Sequence, residues 1–277
     1  MPADTMIFPR NQVITFVGGG QMATALIRGL LRSGFEANNI IVLEPLAMQR
    51  ERVALSLGVR TLAMADEVVA KAGTVVWAVK PQVLQTAIQS VHDRVVGALH
   101  LSIVAGIATH TLSRWLESDR IVRAMPNTPS TIGAGVTGML AMPGTSPADR
   151  QLAEIIFGAT GYCFWVESDE RIDAVTAVSG SGPGYVFEFL ASFQRAAQTL
   201  GFSEEQAREL VVRTALGAAQ QAASEPAKLS ALRDQVASKG GTTEAGLDAL
   251  TRHHLPLALK FAVENAYGRA RELSRTT

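Results

Sequence analysis

The feature of this sequence that most restricts its fold is a change of pattern near residue 168. Before that point, short apolar runs rich in β-branched residues alternate with stretches of helical periodicity. Such alternation is typical of a mainly parallel sheet with helices on both faces. We therefore predict a doubly wound α/β domain over residues 1–167. Its strands are predicted at residues 13–17, 40–43, 74–78, 99–104, 121–124, 136–139 and 162–166, and its first helices at 22–31 and 47–57.

After residue 168 the strand pattern stops, and Ala, Leu, Glu, Gln and Arg dominate the chain. Ser203 and Gln206 have the spacing of a capping box at a helix start. Small and apolar residues then recur at helical spacing from Ala207 to Ala222, so another helix could approach closely there. Further helices are predicted at residues 185–200, 244–251 and 256–273. We expect an all-helical domain over residues 168–277.

Composition narrows the class of protein. The 277 residues are enough for two domains, and 47% of them are hydrophobic. Lys plus Arg balance Asp plus Glu at 25 each, which argues against a nucleic-acid or acidic-membrane binder. No stretch approaches the roughly 18 apolar residues that span a bilayer, and no signal core precedes residue 13, so a cytoplasmic location is predicted. The single cysteine, Cys163, excludes an intramolecular disulfide and is interpreted as a structural thiol in a buried strand.

A glycine turn follows the first predicted strand. Gly18, Gly20 and Ala23 fit the pattern G-x-G-x-x-A, with Gln21 and Met22 opening the next helix. The first glycine permits a tight turn, the second lets the backbone approach a pyrophosphate, and the small third residue lets the helix pack close. Free N–H groups at the helix start would face the phosphates. The sequence therefore predicts a dinucleotide-binding, Rossmann-like domain.

Glu44, at the end of the second strand, bears on the choice of coenzyme. A carboxylate in this position suits the ribose hydroxyls of NADH and repels the 2′-phosphate of NADPH. Gln49, Arg50 and Arg52 follow closely and could receive that phosphate, although a solvated helix face explains them at least as well. The coenzyme is therefore predicted as NADPH or NADH.

Two further strand ends are predicted to meet the coenzyme, because ligands of doubly wound sheets bind beyond the carboxyl ends of the strands. One carries Ala78, Val79, Lys80 and Pro81. The other carries Ala105 and Gly106, whose small size would leave space for the nicotinamide ring.

Four motifs, taken together, resemble one enzyme family. They are Ala-Val-Lys-Pro-Gln at residues 78–82, Met-Pro-Asn-Thr-Pro at 125–129, Ser-Gly-Ser-Gly-Pro at 179–183 and Gly-Gly-Thr-Thr at 240–243. In this order and spacing they resemble pyrroline-5-carboxylate reductase, and the resemblance runs from about residue 13 to residue 273. Gly184 stands where the family usually has Ala, and Lys239 where many members have Pro.

The resemblance implies reduction of the cyclic imine Δ1-pyrroline-5-carboxylate to L-proline by NADPH or NADH, the last step of proline biosynthesis. It also implies that the helical domain interlocks with a second copy to form a homodimer, which in several members associates further, for example into a decamer. The active site would then be completed between two chains.

The last motif suits an anionic substrate. Gly240, Gly241, Thr242 and Thr243 at a helix start offer converging N–H groups for a carboxylate. Ordinary N-capping by either threonine is the simpler alternative. Ser179 and Ser181 are predicted to shape the same pocket, with helix capping an equal alternative.

Reduction of an imine also needs a proton on nitrogen. A hydroxyl has too high a pKa to store a proton at neutral pH, so it can only orient or relay one. Our hypothesis is that Thr243 is the catalytic residue, hydrogen-bonding the imine nitrogen or relaying a proton from water.

Other interpretations remain open at this stage. His253 and His254 are adjacent and lack companion ligands, so they indicate a solvated turn, and no metal site is proposed. A different reductase of the same architecture, such as a β-hydroxyacid dehydrogenase, is one alternative function. A dinucleotide-binding sensor without catalytic activity is another.

Overall fold

The computed structural model describes residues 12–275. Within it the chain forms two compact units. Of the described residues, the first contains 12–181 together with 266–275, and the second is Gly182–Asn265. The domain boundary predicted after residue 167 stays a prediction. The division into two compact units falls later in the chain, after Ser181, and the last helical turns belong to the first unit.

The first unit is built on one eight-stranded sheet. Its strands lie in the order β3-β2-β1-β4-β5-β6-β7-β8. All neighbouring strands are parallel except β6 and β7, which are antiparallel. The strands are β1 (Ile14–Val17), β2 (Ile40–Leu43), β3 (Arg60–Leu62), β4 (Thr74–Trp77), β5 (Leu99–Ser102), β6 (Ile121–Met125), β7 (Gly135–Ala141) and β8 (Gly161–Trp165).

Helices cover both faces of this sheet, as the alternating pattern predicted. They are α1 (Gln21–Arg32), α2 (Ala47–Leu57), α3 (Pro81–Val91), α4 (Thr109–Leu116), α5 (Pro147–Gly158) and α6 (Asp169–Val175). Successive residues of a strand point to opposite faces, so Phe16 of β1 joins one apolar core and Val17 joins the other. Four central strands are buried along their whole length, and most of their residues are apolar.

Two strands differ from the sequence prediction. The short strand β3 was not predicted, because its residues Arg60, Thr61 and Leu62 carry no apolar run. Strand β8 was predicted to be buried, and this is wrong: it is an edge strand, and Tyr162 is 67% exposed.

Cys163 on β8 is only partly buried, yet burial, followed by the charge of Glu154, raises the pKa of its thiol. A raised pKa lowers the thiolate fraction, in agreement with a structural thiol.

The second unit is entirely helical, as predicted. It contains α7 (Gly182–Gln198), α8 (Glu204–Ser224), α9 (Leu229–Val236), α10 (Thr242–Arg252) and the first part of α11 (Leu255–Arg275). The capping box at the start of α8 is confirmed: Gln206 N–H donates to Ser203 Oγ (3.2 Å), and Ser203 N–H donates to Gln206 Oε1 (3.1 Å). Helix α9 was not predicted.

The core of the second unit is small in the single chain. Among residues 182–265 only Ala207 and Val211 are fully buried. Large side chains such as Phe187 and Phe261 are 64% and 51% exposed. None of the helices in residues 12–275 is long and apolar enough to cross a membrane.

Candidate active site

The glycine turn between β1 and α1 is fixed by close backbone packing. Gly18 has a φ of +101°, and a Cβ at this position would lie 2.6 Å from the carbonyl oxygen of Ala78. Its N–H donates to the carbonyl of Leu43 at 2.8 Å. Only glycine satisfies both the positive φ and the close approach. The turn therefore joins the ends of β1, β2 and β4.

The start of α1 is open. Among the described residues, none would lie within 4 Å of a Cβ on Gly20, and none caps the helix there with its side chain. Within the described part of the chain, no acceptor takes the N–H groups of Gln21, Met22 and Ala23. Unpaired amides at a helix start, together with the helix dipole, favour a phosphate group. The turn thus fits the pyrophosphate of a dinucleotide.

Glu44 contacts this turn directly. Its Oε2 accepts a hydrogen bond from Gly19 N–H at 3.0 Å, and its Oε1 accepts one from Leu46 N–H at 3.0 Å. Gln49 donates to the carbonyl oxygen of Gly19. Arg50 donates from Nη1 to the carbonyl of Glu44 at 2.9 Å and to that of Pro45. Glu44, Gln49 and Arg50 therefore brace the turn, whereas Arg52 is exposed.

The predicted coenzyme residues lie at one edge of the sheet. Gly18, Glu44, Ala78 and Ala105 all follow the carboxyl ends of parallel strands. The strand order reverses between β1 and β4, and this switch point is where doubly wound sheets bind ligands. Val79, Lys80 and Pro81 follow Ala78, and Pro81 is the first residue of α3.

The space next to Gly106 was predicted to serve the nicotinamide ring. Gly106 has a φ of +74°, and a Cβ on it would lie 3.1 Å from Cβ of Leu273. Helix α11 therefore packs against this loop near its C-terminal end. Close approach of Leu273 is one physical reason for glycine at position 106.

The segment that precedes α7 is a distorted helical turn that carries two serines. Residues Thr176–Gly180 form a single π-helical turn, in which Ser181 N–H donates to the carbonyl of Thr176 at 2.8 Å. Ser179 Oγ donates to the carbonyl of Val175 at 3.0 Å, so that hydroxyl is already engaged. Ser181 Oγ has no partner among residues 12–275 and is free to meet a ligand. Turns of this kind occur often at functional sites.

Residues 240–243 lie in the second unit, at the start of α10. Gly240 has a φ of +72°, and Gly241 is the N-cap residue without a side-chain cap. Within residues 12–275, no acceptor takes the N–H groups of Thr242 and Thr243, and both residues are exposed. Neither threonine makes a capping bond, so the simpler capping explanation does not account for them.

Glu244 makes a contact that the sequence pattern did not predict. Its Oε2 accepts a hydrogen bond of 2.6 Å from Gly240 N–H. A carboxylate of the chain itself is thus held by the first amide of the loop. Glutamate in the first turn of a helix usually signals only a favourable dipole interaction, so the sequence offered little to identify this bond.

A buried charge network was also missed. Arg123, only 2% exposed, donates to Asp169 Oδ1 at 2.6 Å and to Asp173 Oδ1 at 3.0 Å. Ser274 Oγ donates to Asp173 at 2.8 Å, and Thr109 donates to Asp169 from its N–H and its hydroxyl. These bonds fix α6 against β6, immediately before the π turn.

The histidine pair lies in the second unit. His253 and His254 form the turn between α10 and α11, and both are exposed, in agreement with the prediction. Within residues 12–275, no three His, Cys, Asp or Glu side chains come together in a way that could hold a metal ion.

Comparison with known proteins identifies the family. A family model described as pyrroline-5-carboxylate reductase dimerisation matches residues 169–273. The chain is 38% identical over 271 residues to a pyrroline-5-carboxylate reductase of Haemophilus influenzae, covering 95% of this chain and 98% of that protein. The chain belongs to the pyrroline-5-carboxylate reductase family.

Further comparisons agree with this assignment. Residues 13–106 match a model described as NADP oxidoreductase, coenzyme F420-dependent. The structure of a pyrroline-5-carboxylate reductase from Coxiella burnetii superposes with a TM-score of 0.89 at 36% identity, covering 96% of this chain and 99% of that one. That of a pyrroline carboxylate reductase from Plasmodium falciparum with NADP bound gives 0.85 at 25% identity, covering 96% and 100%.

The family, the fold class and the enzyme class predicted from the sequence are thereby confirmed. The chain is an NAD(P)H-dependent oxidoreductase with a Rossmann-like domain followed by a helical dimerisation domain. The roles assigned to individual residues stay predictions.

Proposed function

We propose that this protein reduces Δ1-pyrroline-5-carboxylate to L-proline with NADPH or NADH. The observation that carries the proposal is the start of α1, where no acceptor among residues 12–275 takes the N–H groups of Gln21, Met22 and Ala23 and a Cβ on Gly20 would meet none of their atoms within 4 Å. A bound nicotinamide coenzyme supplies the hydride. The chain itself supplies the cradle that holds and orients this coenzyme.

The coenzyme residues have distinct roles in this proposal. Gly18, Gly20, Gln21, Met22 and Ala23 bind the pyrophosphate. Ala78, Val79, Lys80, Pro81, Ala105 and Gly106 border the space for the rest of the coenzyme. Glu44 spends two hydrogen bonds on the backbone of the turn, which leaves lone pairs for a ribose hydroxyl. The coenzyme preference stays open between NADPH and NADH.

The substrate is held by the helix start at residues 240–243. Unpaired amides of Thr242 and Thr243, with the dipole of α10, suit the carboxylate of the substrate. Gly240 and Gly241 allow the backbone to approach it, and Ser179 and Ser181 shape the pocket. Thr243 orients the imine nitrogen or relays a proton from water.

Assembly follows from the helical unit. Many of its large apolar side chains are exposed in the single chain, and contact with a second copy would remove them from water. We infer a homodimer formed through residues 182–265, with the active site completed between two chains. A higher homo-oligomer, such as a decamer, and a cytoplasmic location stay predictions.

One assay tests the function. The purified protein should oxidise NADPH or NADH only when pyrroline-5-carboxylate is added, with proline as the product. Comparison of kcat/KM for the two coenzymes then gives the preference. Oxidation of a β-hydroxyacid instead would indicate the alternative reductase, and tight coenzyme binding without turnover would indicate a sensor.

Thr243 can be tested alone. Thr243→Ala should lower kcat by more than about tenfold, the lower end for a positioned proton donor. Stability should change little, because Thr243 makes no capping bond. Thr243→Ser, which keeps the hydroxyl, should retain most of the activity. An unchanged kcat in Thr243→Ala would remove this residue from the mechanism.

A further inference from the structure

The π turn before α7 leaves a backbone carbonyl that needs a donor. In a regular helix, the carbonyl of Ser179 would accept from the N–H of residue 183. Residue 183 is proline and has no N–H. A polar backbone group that stays unpaired in a protein interior is destabilising. The Ser179 carbonyl therefore needs a partner from elsewhere in the fold.

Asn127 supplies that partner. Its Nδ2 donates to the carbonyl of Ser179 at 3.0 Å, and its Oδ1 accepts from Val136 N–H at 2.9 Å. The side chain is almost fully buried, at 7% exposure for the residue. One amide thus joins the loop after β6, the beginning of β7 and the π turn.

The usual role of such an asparagine is not the one seen here. Asn127 is the N-cap residue of the short 3-10 turn Thr128–Ile132, where asparagine commonly bonds to its own helix. Its side chain makes no such bond. Both ends of the amide are instead used for contacts distant in sequence. A cap alone therefore does not explain this residue.

The contact sets the position of groups that the proposed function uses. Ser181, with its free hydroxyl, lies two residues after the carbonyl that Asn127 holds. On the same turn, Gly180 packs against Met125, since a Cβ there would lie 2.9 Å from Met125 Cε. Loop and turn are thus fixed to each other at the carboxyl end of β6, the edge where the coenzyme residues lie.

We propose that Asn127 is a positioning residue for the reduction. Its amide holds the π turn so that Ser181 and the loop at residues 125–129 keep their positions in the reacting geometry. This inference rests on the proposed function. Because the residue acts through backbone contacts, its loss should affect the chemical step more than coenzyme binding to the amides of α1.

Asn127→Asp is the sharpest test. The new carboxylate can still accept from Val136 N–H, but it places an oxygen against the carbonyl of Ser179 and cannot donate when ionised. We expect kcat/KM for pyrroline-5-carboxylate to fall by about 30-fold. A small displacement of the reacting groups is enough to cause a loss of this size. The Kd of the coenzyme, measured by fluorescence titration, should change by less than about twofold.

The pH dependence of this variant gives a second readout. A protonated carboxyl group can donate to the Ser179 carbonyl and restore the contact. The activity of Asn127→Asp relative to wild type should therefore rise as the pH falls from about 8 to about 6, since burial raises the pKa of the introduced group. A purely structural defect would leave this ratio flat.

Thr145→Val is the matched control. Thr145 is buried, and its hydroxyl donates to the carbonyl of Ile121 at 2.9 Å, outside the π turn and its loop. It should lose similar stability while keeping kcat/KM. Should Asn127→Asp fail to fold, Asn127→Ala, which removes both bonds without adding a charge, is measured by the same criterion.

The outcomes separate the two proposals. If wild type reduces pyrroline-5-carboxylate and the Asn127 variants keep kcat/KM, the positioning role is refuted and the proposed function stands. If wild type binds coenzyme but does not reduce pyrroline-5-carboxylate, the proposed function is refuted and the positioning role falls with it.

Discussion

At the scale of single residues, the protein contains a histidine that is kept neutral. His100 lies on β5 with 2% exposure, and Trp77 Nε1 donates to its Nδ1 at 3.3 Å. Its pKa is lowered from 6.5 to about 4, first by burial and then by the charges of Arg120 and His92. The native protein therefore resists protonation of this ring at a pH where the unfolded chain accepts a proton.

This difference makes stability depend on pH. Because the folded pKa lies below the unfolded value, the stabilisation is complete above about pH 6.5 and is lost as the pH falls toward about 4. Between about pH 7.5 and about pH 5, His100 should account for a loss of about 2 kcal/mol in the free energy of unfolding.

His100→Asn isolates this contribution, since asparagine can accept from Trp77 but does not titrate. Urea unfolding at fixed protein concentration, at both pH values, should show a smaller loss for the variant than for wild type. Equal losses in the two proteins would mean that His100 does not control this pH dependence.

At the scale of elements, the Arg123 network joins β6, α6 and the end of α11. A buried guanidinium with two carboxylates leaves an uncompensated charge when the cation is removed. Arg123→Met should therefore lower the free energy of unfolding by about 3–5 kcal/mol. Arg195→Met breaks the exposed pair with Glu188 and should change the free energy of unfolding far less, measured in the same denaturant series. Similar losses for both variants would contradict a special role for the buried network.

At the scale of the whole molecule, the helical unit needs a partner surface. With only Ala207 and Val211 fully buried among residues 182–265, the single chain leaves many large apolar side chains of this unit exposed to water. Association of two copies would bury that surface. The family model that matches residues 169–273 has dimerisation in its description.

Phe187→Glu tests the surface. In sedimentation experiments, wild type should have a mass of at least two chains. In the variant, the dissociation constant of the dimer should rise by more than about tenfold, because association would bury a charge. Leu55→Glu, an equally drastic change at an exposed site on α2, should leave the mass unchanged. A wild-type monomer at micromolar concentration would refute the dimer.

The sequence allowed prediction of most of the sheet but less of the site. Buried central strands such as β1 and β4 are recognisable in the sequence as largely apolar runs, whereas β3 at one edge of the sheet is not. The glycine turn was predictable because Gly18 serves a local backbone requirement that has a fixed spacing. The partners of Arg123 were not predictable, because Asp169 and Asp173 lie far from it in sequence and only packing brings them together.

The sequence by itself determined the alternation of strands and helices, the dinucleotide turn, the helical second half and the family, since each depends on residue order and spacing. Tertiary structure alone decided which groups meet. In the folded chain Glu44 accepts from the backbone of Gly19, and the amide of Asn127 bonds to the backbone of Ser179 and Val136. Sequence pattern reflects the local preferences of the backbone. The partner of a buried polar group, by contrast, depends on which distant segments pack against it and exclude water.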